Sequence, residues 1–439
     1  MSLKRILPFV FLSISNCYVE NTHAAGIAII EQSISGFKTG YAGATTSIDD
    51  ASAIVFNPAA LSRLKGTQFM GGAHILSPST KYEDQGSTIY GRRLRPLSKD
   101  SGGDAGKTAY IPNFFASHQI SDKLYAGFGI FAPFGLGIDY KKTWEGRYHG
   151  TKNDMTTLNI NPSIAYKVHD KLTFGVGLSA EYVEATLESA IDFGGIAASK
   201  GLGSASQTAD GYVKIKGDDW GFGFNTGVLY EPTEDTRFGL SYRSTICSEL
   251  SGKAVFKRSP IGDLISQRSG MFKNTGVNAS ITFPEAVIVG FYHRFSPKWA
   301  IMSDAQYTHW RRLKELRVRF KNPVQPDDVS PMKWKGVFRV AGGAHYYLND
   351  SWTFGVGGGF DKSPVPNEHR TARIPDSDRV FLNTGLSTRI YDTLFFDLSY
   401  GHLFFKKAGI DLKHETKGNL KGRIKTNVNI LSAGLRYKL

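Results

Sequence analysis

His169-Asp170-Lys171 is followed directly by Leu172-Thr173-Phe174-Gly175-Val176-Gly177-Leu178-Ser179. A short polar turn opens onto a run in which every second residue is apolar. Side chains of a strand alternate between two faces, so this run reads as a strand with one apolar and one small, polar face. Similar turns stand at Ser121-Asp122-Lys123, Glu231 to Thr236, Ser296-Pro297-Lys298, Asn349-Asp350-Ser351 and Tyr391-Asp392-Thr393. Between them lie longer, more polar connections at about 78–107, 140–151, 191–211, 254–272, 320–331, 363–373 and 410–420. Six short and seven long connections join fourteen strands.

Short turns alternating with long loops are the pattern of a transmembrane barrel. An even strand number returns both ends to one side, as closure of an antiparallel sheet requires. An open sheet of this length would have unpaired edges, and inside a bilayer those groups find no water. A β-propeller would also give many strands, but no blade motif repeats. The expected fold is therefore all-β: a 14-stranded antiparallel transmembrane β-barrel.

Composition agrees. Of 439 residues, 48 are Gly, 29 Phe and 20 Tyr, with 41% hydrophobic and 21% charged. After the N-terminus no stretch reaches the roughly 18 apolar residues of a membrane helix, which excludes a helical membrane protein. Lys+Arg less Asp+Glu is 53 − 39, or +14. Such charge suits nucleic acid or anionic lipid. For an exported chain, lipopolysaccharide and outer-membrane lipid are the economical partners, and no nucleic acid is expected.

Residues 1–24 read as a secretory signal. Lys4 and Arg5 supply the basic end, Ile6 to Val19 is uncharged and largely apolar, and Thr22-His23-Ala24 offers a small-residue cleavage site before Ala25. A lipoprotein reading would need Cys17, which follows the unsuited Asn16. After cleavage only Cys247 remains, so no intrachain disulfide forms. The expected location is the outer membrane of a Gram-negative bacterium.

The mature chain divides unequally. Residues 25–66 are small and Gly/Ala/Ser-rich, too short to hold a core alone. Asp49 or Asp50 is placed to cap a short helix, and Asn57-Pro58 initiates a turn. Residues 67–439 carry the strands. The last strand alternates Leu431, Ala433, Leu435, Tyr437 and Leu439, as insertion by the barrel assembly machinery requires. Upstream, Ile424, Val428 and Ile430 take the opposite phase. Either a bulge shifts the register or the lumen is apolar at that level.

The third strand, Leu124 to Gly137, holds no charge in fourteen residues and contains Pro133 and Gly135. Proline cannot donate to a ladder and glycine leaves the wall bare. Two readings stand: a lateral opening, or a bend that accommodates curvature. No GxxxxGK[ST], HExxH, CxxC or GxSxG is present. No catalytic residue, metal or cofactor is expected, and the chain reads as a non-enzyme. A phospholipase and a non-specific porin are the competing classes.

Several segments together resemble the FadL family of outer-membrane long-chain fatty acid transporters, which includes channels for aromatic hydrocarbons. They are Ala25-Gly26-Ile27, Asn57-Pro58-Ala59, Asp219-Trp220-Gly221-Phe222-Gly223, Phe238 to Ser244, Asp361-Lys362-Ser363-Pro364-Val365-Pro366 and Ile374 to Arg379. The resemblance implies a monomeric barrel plugged by an N-terminal hatch, 25–66. It implies passive uptake: capture in an apolar groove between extracellular loops, binding in the lumen, and sideways exit at a kinked third strand. Each buried CH₂ is worth roughly 0.8 kcal/mol, so a chain of about sixteen carbons contributes about 10 kcal/mol before ordering costs.

The same resemblance assigns residues. Pro133, Phe134 and Gly135 form the exit, Asn57, Pro58 and Ala59 its gate, and Ile27 a ligand contact. Lys335 matches a basic head-group position, or faces outward as a partner of lipid head groups. The second basic position falls on Ser189, near Glu184 and Glu188, a departure from the family pattern. The run Arg311, Arg312, Lys314, Arg317 and Arg319 with Trp310 suits lipopolysaccharide phosphates, or a solvated loop edge. The prolines of 363–375 stiffen an outer loop.

Overall fold

The computed structural model describes residues 26–89, 95–97 and 100–439. The signal segment 1–24 and Ala25 lie outside the described residues. Among the described residues, fourteen antiparallel strands make one closed barrel. They are β1 (Thr67–Asp84), β2 (Ala109–Gln119), β3 (Leu124–Phe131 and Gly135–Asp139), β4 (Lys152–His169), β5 (Leu172–Asp192), β6 (Asp210–Thr233) and β7 (Thr236–Arg243 and Ile246–Lys257). There follow β8 (Thr275–Phe283 and Ala286–Ser296), β9 (Trp299–Thr308 and Glu315–Phe320), β10 (Asp328–Pro331 and Val337–Tyr347), β11 (Trp352–Asp361), β12 (Arg379–Tyr391), β13 (Leu394–Phe405 and Ala408–His414) and β14 (Gly418–Lys438). β1 closes on β14 in unbroken register from Gln68↔Lys438 to Asp84↔Gly422.

The short turns fall where expected, and their polar residues explain why. Ser121 Oγ accepts from Leu124 N at 3.1 Å, Ser296 Oγ from Trp299 N at 3.1 Å, and Asn349 Oδ1 from Ser351 N at 2.9 Å. Such side chains replace backbone turn bonds. The long connections depart from expectation. β1 runs on to Asp84, past the expected limit at 78, and β12 starts only at Arg379. Two connections carry helices, α3 (Phe193–Ser199) and α4 (Pro260–Ser269), numbered after the two of the hatch.

The outward face is apolar. Phe222 is 73% exposed, Leu178 64% and Phe338 62%, in a protein whose inward face is packed. So much bare hydrocarbon around a closed wall fits lipid and not water. The unbroken β1–β14 register decides the phase question in β14. Ile424, Val428 and Ile430 are buried facing inward, Leu431 and Leu435 outward, so the lumen is apolar there and no bulge intervenes.

The lumen holds residues 26–66, with α1 (Ile34–Phe37), α2 (Ala53–Phe56) and a 3₁₀ turn at Pro58–Arg63. Ser52 stands at the α2 N-cap, so neither Asp49 nor Asp50 caps that helix; Asp50 Oδ1 instead accepts from Ser52 N at 2.9 Å. A segment this short borrows its core from the wall. Ile34, Phe37, Ile54 and Leu61 pack with Phe115, Phe131 and Val428. Wall arginines donate to its carbonyls: Arg339 to Gly40 O at 2.5 Å, Arg237 to Thr46 O at 3.1 Å, and Arg243 to Val55 O at 3.0 Å. Asp304 of β9 accepts from Ala44 N and Thr45 Oγ1. Glycines let the backbones meet: a Cβ at Gly175, Gly227, Gly239 or Gly357 would run into Ala59, Asn57, Thr45 or Thr39.

Candidate functional site

The β2–β3 ladder ends at Phe114↔Ile130. Beyond it, Ala132, Pro133 and Phe134 leave the wall, and β3 resumes at Gly135 paired with β4, from Gly135↔Thr156 to Asp139↔Lys152. The third strand is thus broken at Pro133. The hatch N-terminus takes the place that β2 vacates. Ile29 N donates to Pro133 O at 2.8 Å, Gly135 N to Ile27 O at 2.9 Å, and Ala28 bridges Phe134. Gln32 Nε2 donates to Ala132 O at 2.5 Å. From β4, Thr157 Oγ1 accepts from Phe134 N at 3.0 Å and donates to Phe134 O at 2.6 Å. The peptide groups from Ala132 O to Gly135 N are therefore held by groups that belong to the plug or to β4, a seal that requires no sheet on its other side.

Beside this seal lies an apolar chamber. Ile27, Leu136, Met155, Val183, Leu187, Ile215, Leu250, Leu313, Met332 and Ile374 help line it. Asn153 and Ser280 are the only polar residues of the lining. The lining suits hydrocarbon. An aromatic cluster packs with the lining residues: Phe134 stacks on Phe283 and meets Trp310 edge-on, with ring centroids 6.3 Å apart, and Trp310 meets Trp334 at 5.0 Å.

The structure brings Ile27, Phe134 and Gly135 together at the break, and Ile27 also lines the chamber. It puts Asn57, Pro58 and Ala59 elsewhere, against Gly175 of β5 and Gly227 of β6. There Asn57 Nδ2 donates to Thr45 O at 2.9 Å and Val228 O at 3.1 Å, while its Oδ1 accepts from Ala59 N at 3.0 Å. The motif ties plug to wall two to three strands from the kink.

Lys335 is exposed and does not line the chamber. It borders a polar cleft with Lys362, Lys406, Lys407, Lys421 and Arg423. Ser189 is buried, and Glu188 and Glu184 pair with Lys214 and Lys216 of β6. The basic run is not one surface. Trp310 is buried in the aromatic cluster, Arg312 pairs with Glu285, and Arg317 with Glu315 and Asp327. Phe283, Trp334 and α4 went unread in the sequence. For α4, Ser259-Pro260 before the helix and Gly270 after it, in the left-handed region, were the available start and stop signals.

A second tether holds the hatch end. Gly26 N and Ser363 Oγ donate to Asp376 Oδ2, at 2.9 and 2.6 Å. Burial in this loop pushes the Asp376 carboxyl up to about 6 against the pull of Arg379. The proline-rich loop thus carries an anchor for the N-terminal segment.

Comparison with known proteins agrees with this architecture. The family described as Outer membrane protein transport protein (OMPP1/FadL/TodX) matches residues 15–439. A long-chain fatty acid transport protein of Escherichia coli O6:H1 is 30% identical over 406 residues, which cover 88% of this chain and 88% of that protein. Among solved structures, a Pseudomonas aeruginosa FadL homologue superposes with a TM-score of 0.87 at 22% identity, over 94% of this chain and all of that one. The Ralstonia pickettii toluene transporter TbuX gives 0.66 at 20% identity, over 92% and 97%.

Proposed function

The chain belongs to the outer membrane protein transport protein (OMPP1/FadL/TodX) family, and from that membership we propose that it is a passive channel for long-chain fatty acids. The observation that carries the reading is the apolar chamber lying beside a strand break that the plug and Thr157 of β4 seal. A hydrocarbon tail gains free energy there from burial alone, with no coupled energy source. In this reading Ile27 touches the tail, and Pro133, Phe134 and Gly135 are the exit toward the membrane. Asn57, Pro58 and Ala59 act as the fixed hinge of the plug and not as the moving gate. Lys335 serves head groups from the outer cleft.

The proposal includes export by a cleaved signal at 1–24, a hatch over 25–66 and a barrel over 67–439. It includes insertion by the barrel assembly machinery, a monomeric state, lipopolysaccharide as neighbour, and no catalytic activity. Uptake of radiolabelled oleate by cells lacking their own transporter tests it. Restored uptake supports the reading; a barrel present in the outer membrane without oleate uptake refutes it. Uptake of toluene in place of oleate would instead favour an aromatic hydrocarbon channel. Leakage of small sugars would favour a porin.

A further inference from the structure

β8 and β9 do not pair along their whole length. The ladder holds from Ala286↔Thr308 to Ser296↔Trp299, and again from Val277↔Phe320 to Ala279↔Val318. Between these stretches, among the described residues, the single backbone bond across the seam runs from His309 N to Glu285 O. Pro284 has no N–H to offer. The residues of both lips line the chamber: Ser280 and Ile281 on β8, Leu313 and Leu316 on β9. The chamber therefore reaches a second break in the wall, five strands from the kink.

The level of this seam is marked by its neighbours. Just below it, Val287, Val289 and Phe338 face outward and are exposed, as lipid-facing residues are. Within it Arg311 and Lys314, and just above it Arg319, are exposed and have no ion pair among the described residues. Unpaired backbone groups are not tolerated in hydrocarbon, so a seam at the edge of the apolar belt is where the wall can open. Apolar lips interleaved with exposed basic side chains match a molecule with a hydrocarbon tail and an anionic head.

We propose that the β8–β9 seam is a lateral inlet, through which an anionic amphiphile lying in the outer leaflet passes its tail into the chamber while Arg311, Lys314 and Arg319 hold its head group. The inlet deepens the transport reading and rests on it for its substrate. It gives the basic run a role at the membrane edge. It also makes the chamber a passage between two wall breaks, one facing the outer leaflet and one closed by the plug.

The first test closes the seam. Ser280 and Arg317 continue the register of Ala279↔Val318, so a disulfide across Ser280→Cys and Arg317→Cys, in a Cys247→Ser background, restores the missing rung. Oleate uptake falls several-fold in the oxidised form and returns on reduction. Equal uptake in both forms overturns the inlet. If the bridge does not form, Leu316→Trp blocks the same lip, with the same two outcomes.

The second test does not depend on transport. A bimane label on Ile281→Cys, in vesicles, is quenched saturably by brominated stearate. A label on Val289→Cys reports ordinary lipid contact. Arg311→Gln with Lys314→Gln and Arg319→Gln raises half-saturation about tenfold for stearate and leaves brominated stearyl alcohol unchanged. Quenching at both labels alike, or by brominated phosphatidylglycerol and not stearate, overturns the inlet. Saturable stearate quenching in a protein that does not transport oleate would sink the transport reading while the amphiphile site stands.

Discussion

Phe134, in the break of β3, stacks on Phe283 of β8 with ring centroids 4.3 Å apart and planes inclined by 24°. Phe283 is the last residue before the interruption of β8 at Pro284. The stack therefore joins the two irregular parts of the wall through one aromatic contact. Offset ring pairs of this kind add about 0.5–1.5 kcal/mol beyond burial. A ligand that parts the rings changes both places at once.

Phe134→Ala removes this contact and leaves a void in the aromatic cluster, at a cost of about 3–5 kcal/mol. The folded barrel then loses its heat-resistant gel mobility at a lower temperature. Preloaded fluorescent fatty acid leaves the purified protein faster than from the parent, as stopped-flow displacement will report. Unchanged release would show that the ring does not obstruct the exit.

Ala28 and Phe134 are bridge partners, a geometry that accepts a disulfide. Ala28→Cys with Phe134→Cys, in a Cys247→Ser background, locks the plug to the kink. Oleate uptake is expected to stop on oxidation and to resume with reductant, beyond any loss seen for Phe134→Cys alone. Uptake that continues with the lock closed would place the exit elsewhere.

Gly175→Ala sets a methyl group against the backbone of Ala59, which has no flexible side chain to withdraw. The plug must shift, and residues 26–66 become open to protease added from the periplasmic side. Asn57→Ala strands the carbonyls of Thr45 and Val228 and costs about 1–3 kcal/mol with a similar, milder exposure. Full protection in Gly175→Ala would contradict the close approach.

The Asp376 anchor gives a pH dependence of definite sign. Its carboxyl keeps its proton up to about 6 in the folded protein and only to ordinary carboxyl values when unfolded. Its stabilising contribution is thus present at low pH and is lost as pH rises through about 6, by on the order of 3 kcal/mol at most. Asp376→Asn, always neutral, removes that slope. Unfolding midpoints between pH 4 and 7 should flatten in the variant; parallel curves would refute the assignment.

Lys335→Gln should slow oleate capture at low salt and leave saturation of the chamber unchanged, because Lys335 borders the outer cleft and not the hydrocarbon lining. Salt should erase the difference, since exposed charges are screened. A change in chamber affinity that persists at high salt would return Lys335 to a head-group role inside the lumen.

What the sequence discloses follows what is local. Ser121, Ser296 and Asn349 mark their turns because their own side chains make the turn bonds. The break at Pro133 is readable because proline removes a donor from any ladder. The partner that fills the break is not readable, since Ile27 to Gln32 meet it from far along the chain. The interruptions at Ser244–Thr245 and at 309–314 carry no proline and arise from pairing across the sheet. Trp310 reads as an interfacial residue beside arginines, yet the inward turn of its segment buries it. Lys335 matches a family position, but its surroundings depend on a loop eighty residues away in β13 and β14, whose approach no local pattern states.

The bare spots under the plug have an evolutionary corollary. Thr39, Thr45, Asn57 and Ala59 rest on four different strands only because Gly357, Gly239, Gly227 and Gly175 present no side chain there. Stopper and cylinder are thus cut to one another like a casting and its mould. A chimaera that grafts a relative's stopper into this cylinder will seat only if its contour meets those hollows at the same heights, and drift in either part obliges drift in the other.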